Sequence, residues 1–251
     1  TAPFLKSIEA ATEAGKPLFV ECHLPEYTLD WQLNHMRPGD IITHSFEKVN
    51  ERMPVLDDSG TLRPFVKTAQ QNGILFDLGH GGYGFWFNQA VGAMDQGLAP
   101  NTFGTDLHRF SMNAGMKNML NVMSKYLTMG MKEPEIIKRA TWNAALAIRH
   151  PELGCLKAGG EADIAVLSIL KGNFGFVDAG GNWVDTSLKY ADGLALGLVN
   201  AAEGSLSTSL FIAAHSASGD FEPKSNRQDL QRTLAALAKP EIDVWVLDEV
   251  L

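Results

Sequence analysis

The sequence predicts an α/β fold built from parallel βα units, of the kind that close into a (β/α)8 barrel. Three observations predict it. Short apolar runs alternate with helix-periodic stretches at roughly 25–35 residues per unit, the spacing of strand–helix–strand connections. Each run is apolar at nearly every position, as a strand covered on both faces must be. Each run also ends in side chains suited to acid–base or metal chemistry: Glu21/His23, His44, Asp77/His80 and Asp106/His108. In a βα barrel the C-terminal strand ends form the mouth where chemistry is done. The recurrence of such residues there is the strongest functional signal in the chain.

The elements follow in order. Phe4, Leu5, Ile8 and Ala11 lie on one helical face, which predicts a helix over 3–14 stopped by Gly15. Pro17 to His23 reads as a first strand, Leu29 to Met36 as a helix, and Ile41 to His44 as a second strand. Leu62 to Gln71 is helical, Asn72-Gly73 turns the chain, and Ile74 to Leu78 is a third strand. Phe87 to Gln96 makes a helix and Thr102 to Asp106 a fourth strand. Beyond it, helices are expected over Asn113–Met129 and Glu133–Ile148, then a turn-bounded strand pair between Gly154 and Leu167. Met112, Met116, Met119, Met123, Met129 and Met131 recur at helical spacing and read as packing rather than a cofactor site. From Trp183 onward the periodicity is weak, so 1–150 reads as barrel, 151–182 as further strands, and 183–251 stays unassigned.

Composition narrows the function classes. With 45% hydrophobic and 20% charged residues the chain reads as globular, long enough for one large domain or two small ones. A formal net charge of -8 argues against nucleic acid as a partner, because phosphate backbones are bound by surplus Lys and Arg. Charged residues interrupt every apolar run, so no membrane span is expected. The two cysteines, Cys22 and Cys155, form no Cys-x-x-Cys motif and are expected as small buried groups. No Gly-x-Ser-x-Gly elbow supports serine hydrolase chemistry, and Gly79-His-Gly-Gly-Tyr-Gly84 lacks phosphate-loop spacing. No signal peptide opens the chain, which reads as cytoplasmic with any targeting segment lying upstream.

Imidazoles and a carboxylate arriving from successive barrel strands can bind a divalent metal at about 2 Å. Such an ion acidifies water from a pKa of about 16 toward 7, and a neighbouring carboxylate can carry the proton to a leaving group. His44 and Asp106 have the residue types for ligand and base at the ends of two of these strands.

Five stretches in order resemble one family: RPGDIITHSFE (37–47), FDLGHGG (76–82), GTDLH (104–108), SMNAGMKNMLNVMSKYLTMGM (111–131) and ATWNAALAIRHPELGCLKAGGEADIAVL (140–167). Across two-thirds of its length the chain resembles the amidohydrolase superfamily, and most closely its amidohydrolase/deacetylase branch. The resemblance implies strands five to eight of a TIM-type metallohydrolase barrel and part of a small β-sandwich. It implies His44 as a metal ligand ending the sixth strand and Asp106 as ligand and general base ending the eighth. His80 would line the substrate pocket after the seventh, with His108 nearby. At the fifth-strand ligand position the register offers Glu21 where relatives carry histidine, and His23 projects from the same strand face; both stay open as ligands. The family's first-strand His-x-His pair and fourth-strand bridging residue have no counterpart among the seven histidines and the sixteen residues before Pro17.

The resemblance therefore implies a metal-dependent hydrolase of amide or cyclic amide bonds in small molecules, deacetylase-like, using one or two divalent ions, zinc by preference. The competing reading is a truncated or degenerate barrel that binds a partner and catalyses nothing. A half-barrel exposes strand edges and apolar surface, so self-association into a homo-oligomer is a further expectation.

Overall fold

The structure is a computed structural model; it describes residues 2–21, 23–24, 26–109, 111, 115–160, 163–171, 174–181, 183–185, 194–198 and 245–247. They fall into two compact units, 1–117 with 176–184, and 118–175 with 185–251.

In the first unit three short strands run parallel in the order β1-β2-β3: β1 (Phe19–Val20), β2 (Ile41–Ile42) and β3 (Leu75–Phe76). The strands are shorter than the apolar runs, but the ladder continues past them. Thr43 N donates to Val20 O at 3.1 Å, Asp77 N to Ile42 O at 2.8 Å and Ser45 N to Asp77 O at 3.2 Å. The fourth expected strand, Thr102 to Asp106, is a parallel segment anchored by one bridge between Asp77 and Thr102. It stays bonded to its neighbour, with Leu78 N donating to Thr102 O at 3.1 Å and His80 N to Gly104 O at 3.0 Å. The segment ends at Asp106, which lies in the left-handed region at φ 48°.

The helices lie where periodicity puts them, with trimmed ends. Helix α1 (Ala2–Glu13) buries Phe4 against the rings of Tyr27 and Trp31. Helix α2 spans Leu29–His35. Helix α3 (Pro64–Gln71) starts at its proline rather than at Leu62, because Leu62 is in a bridge with Leu56. Helix α4 (Phe87–Asp95) has its first N–H satisfied from far along the chain: Phe87 N donates to Asp178 Oδ2 at 3.0 Å. Ile42, Phe46, Val66, Leu78, Phe85 and Leu98 are fully buried and form the core beneath the strand ends.

In the second unit α5 (Met119–Thr128) begins at Asn118, whose side chain accepts from Asn121 N at 2.8 Å; the expected start near Asn113 falls on residues outside those described. The single helix expected over Glu133–Ile148 is two, α6 (Glu133–Ala140) and α7 (Trp142–Ala147). Thr141 separates them at φ -128°, ψ -88°, and its hydroxyl donates to Ile137 O at 2.9 Å, the local competition that makes threonine a weak helix residue. The expected strand pair near 154–167 is also corrected. A 3-10 turn at Pro151–Gly154 comes first, and β4 (Ala165–Lys171) pairs antiparallel with distant segments, β7 (Leu194–Leu198) and β8 (Trp245–Leu247). Between β4 and β7 the chain forms β5 (Gly175–Val177) and β6 (Trp183–Asp185), which pair with each other and fall largely in the first unit. Met116, Met123 and Met129 are buried, as packing residues should be, whereas Cys155 is partly exposed rather than core. Cys22, Met112 and His215 lie outside the described residues. No described helix is long and apolar enough to cross a membrane.

Candidate active site

The strand ends of the first unit bring several of the expected residues together. His44 follows β2 and Asp106 follows the segment beside β3, and both take positive φ, 55° and 48°. Among the described non-glycine residues only Arg149 shares this conformation. It costs on the order of 1–3 kcal/mol per residue and is held only where the surroundings demand it. The glycines around the two residues supply that demand. A Cβ on Gly84 would collide with Gly79 O and His44 Nδ1, and one on Gly81 would collide with Asp106 Oδ2. The Gly79–Gly84 turn is thus a close-fitting cradle for the imidazole and the carboxylate, not a phosphate loop.

The His44 imidazole is nearly buried and its Nδ1 donates to Gly79 O. A carbonyl can only accept, so the proton is assigned to Nδ1 and the Nε2 lone pair faces outward. Glu21 Oε1 lies 3.2 Å from that Nε2 and Asp106 Oδ2 lies 3.8 Å from it. His23 Nδ1 is 3.7 Å from the same Glu21 oxygen, and its ring stacks on that of His44 with centroids 6.0 Å apart. His108 Nε2 is 4.0 Å from Asp106 Oδ2, on the outer side. Of the two open fifth-strand candidates, Glu21 approaches His44 directly while His23 reaches the cluster through Glu21.

His80 is placed differently. It is fully buried, stacks on Phe85 at 4.8 Å, and its Nδ1 shares a hydrogen bond with Gly81 O at 3.0 Å. Its backbone carbonyl accepts from Gly84 N at 2.9 Å, closing the glycine turn. Asp77 lies below the cluster, also buried. Its Oδ2 accepts from Thr43 Oγ1 at 2.7 Å and its Oδ1 from Thr102 Oγ1 at 2.6 Å, stapling β2, β3 and the 102 segment together. Burial pushes the Asp77 carboxyl above the usual carboxylate range, against the opposing effect of the Thr102 and Thr43 bonds.

The donor types are ones a divalent cation accepts. With Nδ1 committed to a carbonyl, a neutral His44 would set its lone pair against two oxygens that can only accept. A positive charge among them, a proton or a metal ion, relieves that opposition. One imidazole nitrogen and carboxylate oxygens are acceptable zinc donors, and in a tetrahedral site neighbouring donors lie roughly 3.4 Å apart. The observed separations of 3.2 to 3.8 Å bracket that value. Among the described residues no three His, Cys, Asp or Glu side chains are closed round a common point. The fit is therefore one of donor type and spacing, not of a finished cage.

Comparisons with known proteins bear on the family. The model of the amidohydrolase family matches residues 88–189. A deacetylase of Brucella anthropi is 30% identical over 166 residues, 66% of this chain and 41% of that protein. A deacetylase of Agrobacterium fabrum is 31% identical over 166 residues, 66% of this chain and 40% of that protein. The chain belongs to the amidohydrolase superfamily. Two solved structures carry the same fold, a barrel-like α/β architecture of which this chain has a part. An adenine deaminase superposes with a TM-score of 0.65 and 27% identity over 72% of this chain and 47% of that one. A dihydroorotase superposes with a TM-score of 0.68 and 27% identity over 78% of this chain and 51% of that one. The chain spans about two-fifths of the length of the curated superfamily relatives it matches, 41% and 40%.

Two residues at this site escaped the sequence reading. Glu47, which ends the Thr43-His-Ser-Phe-Glu47 stretch, and Arg52 are both buried beside His23. Charged residues after a strand usually read as solvated loop. Only the tertiary structure shows that these two are enclosed.

Proposed function

We propose that the protein acts as a metal-dependent hydrolase of C–N bonds in small amides or cyclic amides, with a deacetylase-like reaction favoured. The single observation that carries the reading is the orientation of His44, whose Nδ1 is held by Gly79 O while Nε2 faces Glu21 and Asp106. The deacetylase preference draws support from the similarity to proteins of that name, and the cyclic-amide alternative from the similarity to a dihydroorotase. We read β1, β2, β3 and the 102 segment as the fifth to eighth strands of the barrel.

In this reading His44 Nε2, Glu21 Oε1 and Asp106 Oδ2 would hold a divalent ion, zinc by donor type, with His23 as a further donor. When bound, the ion supplies Lewis acidity, polarising a carbonyl and lowering the pKa of water. The Asp106 carboxylate is well placed for proton transfer: its side chain is 43% exposed, so substrate and water can reach it. It takes the proton from the attacking water as the C–O bond forms and returns it to the departing nitrogen as the C–N bond breaks. His108, 4.0 Å from Asp106 Oδ2 and 43% exposed, would be within reach of a substrate held at Asp106. His80 holds the glycine turn in place from beneath.

The test is metal analysis and amidase assay of the full-length protein with N-acetylated amino compounds and cyclic amides. About one zinc per chain, with metal and activity both lost in His44→Ala, supports the reading. A metal-free protein whose activity is indifferent to His44→Ala overturns it.

A further inference from the structure

We propose that Glu47, backed by Arg52, is a positioning residue for His23: it keeps the imidazole proton on Nε2 and so presents Nδ1 to the Glu21–His44 cluster. The inference rests on the metal reading of the site and deepens it by choosing how His23 takes part.

Glu47 is an unusual residue to find enclosed. Its side chain is 1% exposed, and Oε1 has no hydrogen-bond partner. A buried carboxylate oxygen left unpaired is costly, so something else must hold the group there. Its other oxygen makes two contacts. His23 Nε2 lies 3.0 Å from Oε2, and Arg52 Nη1 lies 3.5 Å from it, the guanidinium also being nearly buried. The same Nη1 donates to Thr43 O at 2.9 Å, the carbonyl just before His44. Glu47 N in turn donates to His44 O at 3.3 Å. The ion pair is therefore tied to the backbone on both sides of His44.

The chemistry of the Glu47–His23 contact assigns the proton. An ionised carboxylate accepts only, so the nitrogen facing it must donate, and Nε2 carries the hydrogen. That leaves Nδ1 as the nitrogen facing Glu21 Oε1, at 3.7 Å. Glu21 Oε1 also lies 3.2 Å from His44 Nε2, so the lone pairs of both histidines converge on one oxygen. A histidine ligand whose second nitrogen donates to a carboxylate is a general device for fixing tautomer and ring orientation. Glu47 occupies that role for His23, and Arg52 offsets the charge that the arrangement buries. The two open candidates for the fifth-strand ligand are then not alternatives. Glu21 and His23 serve together, the histidine through Nδ1.

The test uses the full-length protein labelled with ¹⁵N at histidine, observed by long-range ¹H–¹⁵N correlation before and after zinc addition. The expected result is a protonated Nε2 on His23 in the metal-free protein. Zinc then moves the Nδ1 signal of His23 and the Nε2 signal of His44 while His23 Nε2 keeps its proton. The double variant Glu47→Leu/Arg52→Leu removes the pair without stranding a lone buried charge. Its zinc affinity should fall about 10- to 100-fold, and adding His23→Ala should weaken it no further. A purely structural ion pair would lower the melting temperature and leave the zinc affinity of the folded protein unchanged. An unprotonated Nε2 on metal-free His23, zinc binding through that nitrogen, or wild-type affinity in the double variant overturns the proposal. If zinc moves neither His44 nor His23, the metal reading falls and the proposal falls with it; if it moves His44 alone, only the proposal falls.

Discussion

Replacing Asp77 by asparagine should change how stability depends on pH, and replacing it by alanine should cost stability at every pH. The carboxylate is 4% exposed and accepts hydroxyl bonds from Thr43 at 2.7 Å and Thr102 at 2.6 Å. Burial raises its pKa above the unfolded value, so the native state holds the proton more tightly than the unfolded chain does. The sign follows from linkage. Stability is greatest below the unfolded pKa of about 3.9 and falls as pH rises toward the raised folded value, by up to about 1.4 kcal/mol per unit. Asparagine has no proton to lose, keeps an acceptor for one hydroxyl, and can donate to the other. Asp77→Asn should therefore gain on the wild type as pH rises through that window. Asp77→Ala loses both hydroxyl bonds, at about 1 kcal/mol each, and leaves a small void worth roughly another 1 kcal/mol, about 3 kcal/mol together. Urea midpoints measured between about pH 4 and 8 separate the two effects. Parallel curves for wild type and Asp77→Asn, or an alanine variant as stable as the asparagine one, would refute the reasoning. Because Thr43 precedes His44, the alanine variant should also lose more activity than the asparagine variant.

Two further outcomes follow from the same geometry. Gly84→Ala drives a methyl group into Gly79 O and His44 Nδ1, and should cost about 1–3 kcal/mol and weaken divalent-metal binding; an unchanged melting curve and metal affinity would contradict the close-fitting cradle. Asp40 accepts from Leu18 N at 2.8 Å and from Arg37 N, Nε and Nη2 at 2.8, 3.0 and 2.7 Å. Burial alone would raise its pKa, but the Arg37 and Leu18 bonds outweigh it and the net shift is downward. Its contribution is therefore present above the unfolded pKa and lost as pH falls through the folded one. Asp40→Asn should cost about 1.5 kcal/mol at neutral pH, the low end for bonds to a charged group since Arg37 is partly solvated. The deficit should close in acid, as denaturation midpoints across pH would show.

Much of the architecture was legible in the linear pattern, for a physical reason. Parallel strands of a covered sheet are apolar at nearly every position, so the runs around Phe19, Ile41 and Leu75 stand out without any alignment. Of these strands only Ile41 and Ile42 are buried on both faces, and Phe19 is 57% exposed. The parallel ladder then dictates that residues just past those runs gather at one end, which is how His44 and Asp106 come together. What the sequence alone did not decide was one local break and several non-local contacts. The Thr141 break between α6 and α7 is a local choice that periodicity overrides on paper, and the partners of β4 come from segments with weak patterning of their own. Glu21 and His23 lie two residues apart just past β1, so spacing could not rank them. Their contacts separate only because Glu47, enclosed with Arg52 by the chain after β2, lies against one nitrogen of His23 and leaves the other facing Glu21. Residue types and strand ends are properties of the chain; which atom of each side chain faces which neighbour is a property of the packed molecule.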